Sequence, residues 1–375
     1  MRGTRPSYAE IDLEALAANY ALAGRLARGR EVIGVVKADA YGHGAVRVAQ
    51  RLASLGCRTL AVVTVDEAEA LRSAGVETQI LVMGGVHDVL EAERAAALGA
   101  TPAVHRSEDV RLVAEAAARA ETVLAVQLEV DTGMSRMGAP AALAPEIARQ
   151  IAERPELTFD GIYTHFARAD EVETEPTFAQ ERLFAGVLDE LDKRGIAPRQ
   201  VHAAASAALL SGVGLPELAR RFNAVRPGLM LYGIAPNPEC GAPELAPVMR
   251  LVARIVALRR VAAGQGVGYG ASYRAPAERS IATLPLGYAD GFPRHFAQTA
   301  FVSHRGGDVP MVGRVSMDFV TLDLGDRPAE IGDEVVVFGP ENPASRLAAA
   351  ADTIAYELLV RVGARIPRVI VGEEV

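Results

Sequence analysis

Short apolar runs alternate with amphipathic stretches through the first two-thirds of the chain. The runs EVIGVVK, TLAVVT, QILVMGG, TPAV, VLAVQLEV, LTFDGIYTHF, QVHAAAS and FNAVRP read as eight strands. Between them, segments such as VDEAEALRSAG, HDVLEAERAAALG, SEDVRLVAEAAARA and APEIARQIAER set alanine and leucine at helical spacing behind acidic first turns. Eight βα units in succession predict a (β/α)8 TIM-like barrel over residues 9–236. Around residue 236 the texture changes. APNPECGAPELAP is a Pro-rich joint, and beyond it VMRLVARIVALRRV, ERSIATLPLG, PMVGRVSMDFVTLDL and GDEVVVFG read as strands broken by glycine turns. They predict a C-terminal, all-β domain over residues 237–375, with residues 1–8 packing against it.

Composition narrows the function. Half of the 375 residues are hydrophobic and 23% are charged, a globular balance long enough to bury a large core. A net charge of −8 argues against a nucleic-acid partner. No long uncharged apolar stretch spans a membrane, and MRGTRPSYAEID lacks a signal-peptide core, so a cytoplasmic protein is expected. Cys57 and Cys240 form neither a disulfide framework nor a metal spacing and read as free thiols. The seven histidines are scattered, so no metal site is expected. GQGVGYGA holds several glycines, but no helix opens after it, which argues against a dinucleotide loop.

Of the 39 basic side chains only Lys37 and Lys193 are lysines. With arginine so favoured, a lysine survives most easily where a primary amine is required, because arginine stays protonated and forms no imine. Lys37 closes EVIGVVK ahead of Tyr41 and two glycines, which suits a Schiff-base residue at the mouth of the barrel; the alternative is an ordinary surface lysine. Other polar residues fall at the same place in their repeats. Glu129 and Asp131 end the fifth strand, His165 ends the sixth, Ser206 follows the seventh and Arg226 ends the eighth. All therefore face the C-terminal rim, where active sites of this fold sit. Singly, His165 also fits a core histidine, Ser206 a helix cap and Arg226 half of an ion pair. Their convergence favours a site.

The segments VVKADAYGHG, DTGMSRMG, THFARAD, RPGLMLYG, VGYGASY, LPLGYADGFPR and GRVSMD resemble, in that order, the signature segments of the pyridoxal-phosphate-dependent alanine racemases of fold type III. The resemblance spans nearly the whole chain. It implies an enzyme interconverting L- and D-alanine, supplying D-alanine for peptidoglycan, with pyridoxal 5'-phosphate as cofactor. It also implies a head-to-tail homodimer in which each active site borrows residues from the partner's β domain. Carried over, Lys37 is the imine lysine and one of two acid/base groups, and Tyr269 of the other subunit is the second. Lysine and tyrosine can each serve once their pKa values are lowered. The resemblance has His165 bonding Tyr269 and touching Arg226, which faces the pyridine nitrogen. Arginine there discourages protonation of that nitrogen and suits simple proton exchange over transamination or decarboxylation. Tyr41, Ser206, Tyr356 and the backbone of Gly228 and Leu229 are the implied phosphate donors. Arg136, aided by the backbone of Met317 from the partner, is implied for the substrate carboxylate. Tyr288 and Asp318 line the entrance, with Asp170, Arg294 and Arg314 farther out.

Departures from the pattern bear on substrate range and turnover. Glu129 stands where many members have a lysine carbamylated by carbon dioxide, and its shorter stem calls for a water or an anion to bridge to Arg136. Ala205 replaces the asparagine of the usual HAANSA, Ser316 a common cysteine and Phe319 a common glutamine. Three alternatives stay open, since a barrel alone does not settle function. They are a racemase for a larger amino acid, a pyridoxal-phosphate carrier without turnover, and a decarboxylase or aldolase. The β domain with Tyr269 and Met317 counts against the carrier. Arg226 and the absence of a histidine cluster count against the last.

Overall fold

The computed structural model describes residues 5–171, 173–212, 220–237, 244–297 and 299–372. Each of the eight apolar runs contains a strand. They are β1 (Glu31–Val32 and Gly34–Val35, interrupted at Ile33), β2 (Thr59–Val62), β3 (Gln79–Val82), β4 (Thr101–Val104), β5 (Leu124–Asp131), β6 (Leu157–Tyr163), β7 (Gln200–His202) and β8 (Ala224–Val225). Neighbours pair in parallel around the ring. Closure falls on β1, whose first half pairs Glu31 with Ala224 of β8 and whose second half pairs Gly34 with Leu60 of β2.

Some of the helices begin where the sequence supplies side-chain caps. Thr64 and Glu67 form a reciprocal capping box on Val65–Ser73, and Asp88 accepts from the Glu91 N–H to open Val89–Ala97. Their alanine and leucine faces are buried against the strands. One element departs from a strict βα repeat. After β8 the described chain makes only the short turn Leu229–Tyr232, and the helix Leu13–Ala27, which precedes β1, packs there instead. Buried Asn19 fixes it: Nδ2 donates to the carbonyls of Leu231 (3.1 Å) and Ala246 (2.8 Å), and Oδ1 accepts from Ala246 N (3.0 Å). Both ends of the fully buried Asn19 amide are satisfied by these bonds.

The second domain is built on one sheet in the spatial order Ala257–Val261, Arg279–Leu284, Val320–Gly325, Gly307–Val312, Phe301–His304, Glu334–Phe338, Met249–Arg254, Ser7–Asp12 and Arg368–Val371. All pairs are antiparallel except the last. The helices Ala344–Ala349 and Ala355–Arg361 make this domain mostly β rather than all β. Residues 1–4 and residues 238–243 of the Pro-rich joint, Cys240 among them, lie outside the described residues. Cys57 is buried, its thiol donating to Thr59 O at 3.2 Å. No helix among the described residues is long and apolar enough to cross a membrane.

Candidate active site

Directly after Lys37 the backbone turns left-handed. Ala38, Asp39, Ala40 and Tyr41 all have φ between 51° and 54°, a conformation that costs about 1–2 kcal/mol for each residue with a Cβ. Four side chains hold it. Glu67 Oε1 accepts from Ala38 N (2.6 Å), Asp39 Oδ1 from Ala45 N (2.7 Å), and Arg368 donates twice to Gly42 O (3.0 and 2.9 Å). His43 Nδ1 lies 2.9 Å from the carbonyls of Ala40 and Tyr41, so this nitrogen carries the proton. Burial pushes the His43 imidazole down to about 4, which keeps it neutral. At Gly42 a Cβ would come within 2.2 Å of Leu359 O, so the turn is wedged against the β domain. The result sets Lys37 at the start of the turn and brings buried Tyr41 beside Tyr232, ring centroids 4.9 Å apart.

Lys37, His165, Arg226 and Arg136 form one electrostatic group. Burial, then Arg136 and Arg226, lowers the pKa of the Lys37 amine, with only Glu67 opposing. Arg226 is 4% exposed. Its Nη2 donates to Thr164 O (3.1 Å) and to His165 Nδ1 (3.2 Å), its Nη1 meets His202 Nδ1, and its Cζ lies 4.7 Å from the centroid of the Tyr163 ring. A guanidinium only donates, so His165 Nδ1 accepts and the ring proton sits on Nε2. Burial and the surrounding cations Arg226, Arg136 and Lys37 push His165 down to about 3.

Tyr41, Ser206, Gly228 and Leu229 come together on the β7–β8 side of the rim. Ser206 Oγ accepts from Gly228 N (3.0 Å) and Met230 N (3.2 Å), and a Cβ at Gly228 would lie 2.4 Å from Tyr41 Oη. Tyr356 is close enough to act electrostatically on Tyr41. Ala205 opens the helix Ser206–Ser211 with no side-chain cap.

The two carboxylates of β5 have different surroundings. Buried Glu129 accepts from Tyr163 Oη at 3.3 Å and lies 3.4 Å from His105 Nδ1. Asp131 Oδ1 accepts from the N–H groups of Gly133 (2.9 Å), Met134 (3.0 Å) and Ser135 (3.1 Å), organising the loop that carries Arg136. Among the described residues Arg136 makes no ion pair with either.

The remaining residues sit on the β domain. Gly266–Val267 and Tyr273–Arg274 pair as a hairpin with Tyr269 at its tip, 70% exposed between Gly268 and Gly270, both at positive φ. Tyr288 N donates to Ser316 O (3.1 Å) and Ala289 N to Met317 O (3.0 Å), joining the Tyr288 and Met317 loops. Ser316 Oγ donates to Phe319 O (2.8 Å) and accepts from Phe319 N (3.0 Å), closing that turn. Asp318 is paired with Arg365 at 2.7 Å. Tyr269, Met317, Phe319 and Tyr288 are all exposed. No hydrogen bond, ion pair or ring contact among the described residues joins Tyr269 to the barrel rim.

Several contributors are absent from the sequence reading. His202 and Tyr163 flank Arg226, His105 adjoins Glu129, and Glu67, His43 and Arg368 hold the turn after Lys37. His202 carried a signal, a polar residue inside the apolar run QVHAAAS. The turn's supports carried none, because they come from distant elements.

A half-buried lysine among cations, on the rim of a parallel barrel joined to this β domain, is the arrangement of an amino-acid racemase. The alanine racemase N-terminal domain model matches residues 11–236, and the alanine racemase C-terminal domain model matches residues 248–370. The alanine racemase of Desulfovibrio desulfuricans is 38% identical over 375 residues, 98% of each chain. That of Thermobifida fusca is 39% identical over 377 residues, 97% of this chain and 98% of its own. The crystal structure of alanine racemase from D-cycloserine producing Streptomyces lavendulae matches with a TM-score of 0.92 and 35% identity, covering 100% of this chain and 99% of that one. The chain belongs to the alanine racemase family, and its activity is the interconversion of L- and D-alanine. That family is pyridoxal-phosphate-dependent.

Proposed function

We propose that this chain holds pyridoxal 5'-phosphate on Lys37 and racemises alanine in the cytoplasm as a head-to-tail homodimer, each site using Lys37 of one subunit and Tyr269 of the other. The carrying observation is a mismatch within one chain. Lys37 has the lowered pKa a base requires, while Tyr269 stands exposed on a hairpin without contact to the rim. The residues fit the cofactor: a glycine too close to Tyr41 for any Cβ, a serine hydroxyl and a neighbouring backbone N–H make a phosphate cradle. The Tyr356 hydroxyl and the backbone of Leu229 complete it. When bound, the cofactor supplies electron withdrawal that acidifies the substrate's α-hydrogen.

The side chains do the rest. Lys37 Nζ takes or returns a proton on one face of the α-carbon, and the phenol of Tyr269 does so on the opposite face. With Nδ1 occupied by Arg226, His165 offers Nε2–H to the Tyr269 oxygen of the partner subunit and stabilises its ionised form. Arg136, on the loop organised by Asp131, receives the substrate carboxylate with the backbone of Met317 from the partner. Glu129 supplies the permanent negative charge behind it, and Tyr288 and Asp318 flank the approach. The exposed group Tyr269, Tyr288, Met317 and Phe319 is the face that the second copy covers.

The test is subunit complementation. Lys37→Ala and Tyr269→Phe proteins, each inactive alone, are mixed under conditions that exchange subunits. One intact site per heterodimer should restore activity, and verified heterodimers without activity would overturn the shared site.

A further inference from the structure

Aliphatic layers do not fill the whole barrel interior. A line of polar side chains runs along it from the end opposite the rim. Half-exposed Arg199 donates through Nε to Asp160 Oδ1 at 2.7 Å. Asp160 Oδ2 accepts from Gln127 Nε2 at 2.9 Å and from Gln79 Nε2 at 2.8 Å. Gln127 Nε2 also donates to Gln200 Oε1 (2.9 Å), while Gln127 Oε1 lies 2.9 Å from His202 Nε2. His202 Nδ1 then meets Arg226. Gln127 and His202 are fully buried. Space for the Gln127 amide exists because residue 161 is glycine: a Cβ there would lie 2.8 Å from Gln127 Cδ.

The chemistry at the two ends gives the line a direction. A carboxylate only accepts and a guanidinium only donates. Asp160 therefore turns the NH2 of Gln127 toward itself and the amide oxygen toward His202. That oxygen needs a donor, so His202 carries its proton on Nε2, and Nδ1 presents a lone pair to Arg226. Stacking of His202 on Tyr163, centroids 4.9 Å apart and planes 10° from parallel, leaves the imidazole no other orientation to satisfy both neighbours.

We propose that Asp160 and Gln127 are positioning residues that act through His202, fixing its tautomer and thereby the guanidinium plane of Arg226. Its catalytic meaning rests on the reading of Arg226 as the group facing the cofactor's pyridine nitrogen; the tautomer does not. In Asp160→Asn the new amide can donate to Gln127 Oε1. Gln127 is then free to reverse and point its NH2 at His202 Nε2, which moves the histidine proton to Nδ1 and sets it donor to donor against Arg226.

Neutron diffraction from perdeuterated holoenzyme crystals tests this without an assay. In the wild type, His202 should carry deuterium on Nε2 alone, with the Gln127 ND2 group toward Asp160. Deuterium on Nδ1, or on both nitrogens, overturns the proposal whether or not any variant folds. In Asp160→Asn, deuterium should appear on Nδ1, and an unchanged pattern overturns the role of Asp160. Steady-state kinetics then separates the two layers of the argument. We expect kcat to fall about ten- to a hundredfold in Asp160→Asn, the scale of one mispaired buried charged group, with KM for alanine changed less than twofold because Arg136 is untouched. A shifted tautomer with wild-type kcat would leave the hydrogen-bond line standing and overturn its catalytic meaning together with the Arg226 reading.

Discussion

Two lysines in one chain make a controlled experiment at the scale of single residues. Lys193 is 73% exposed, 3.5 Å from Glu190, whereas Lys37 is partly buried among arginines. Borohydride reduction of the holoenzyme should fix the cofactor to the Lys37 peptide alone. Lys37→Ala should lose about a thousandfold or more in turnover, and Lys193→Ala should stay within a factor of two of wild type. The β5 carboxylates should separate just as clearly. Asp131 holds three backbone N–H groups of the Arg136 loop, so Asp131→Asn should raise KM for alanine several-fold with kcat largely kept. Glu129 instead accepts from Tyr163 and lies beside His105, so Glu129→Gln should lower kcat by about one to two decades while cofactor content is retained. Turnover in the wild type should be indifferent to bicarbonate, and Glu129→Lys should acquire a dependence on it. Equal behaviour of the two amide variants in a kcat and KM comparison would contradict this division.

At the scale of elements, the left-handed turn behind Lys37 is held from several distant elements at once. Glu67 supports it through Ala38 N and also accepts from Val63 N at 2.8 Å, so Glu67→Ala should cost about 1–2 kcal/mol in urea unfolding and reduce turnover with it. His43 adds a pH signature. Its folded pKa, about 4, lies below the unfolded value near 6.5. The unfolded chain therefore binds the extra proton between those two values, and stability is full above pH 6.5 and falls as pH drops toward 4. His43→Asn, which keeps an N–H donor for the two carbonyls, should unfold with a visibly flatter pH dependence across that window. The turn was illegible in the sequence because ADAY contains none of the residues that favour positive φ except Asp39, and its supports lie as far away as Arg368. The eight barrel strands were legible because each is a compact apolar run. Phe301–His304 was not, since its polar Ser303 and His304 are buried in pairings with Val336 and Val335 that only the assembled sheet supplies. Rim positions could be read from strand ends, whereas Gln127 lies inside β5, where a polar side chain has no meaning until its neighbours are known.

Across the whole molecule, the proposed arrangement, with one base on the barrel and the other on the partner's β domain, would make activity a property of the pair. Specific activity should fall in step with the dimer fraction as the protein is diluted, checked by sedimentation at the same concentrations, and restoring the concentration should recover it. Activity constant across dissociation would contradict the shared site. Another consequence follows from the strand Ser7–Asp12, which lies between Met249–Arg254 and Arg368–Val371. Ser7 faces Ala253, so this strand, made before the barrel, finds its antiparallel neighbour only after the barrel has been synthesised, and its parallel neighbour later still. Until then an amphipathic strand with two open edges trails from a nearly finished barrel. A nascent chain stalled in the Pro-rich joint should therefore expose a binding site for chaperones at the Ser7–Asp12 segment, and splitting the chain at that joint should yield two fragments that each lack a piece of the same sheet.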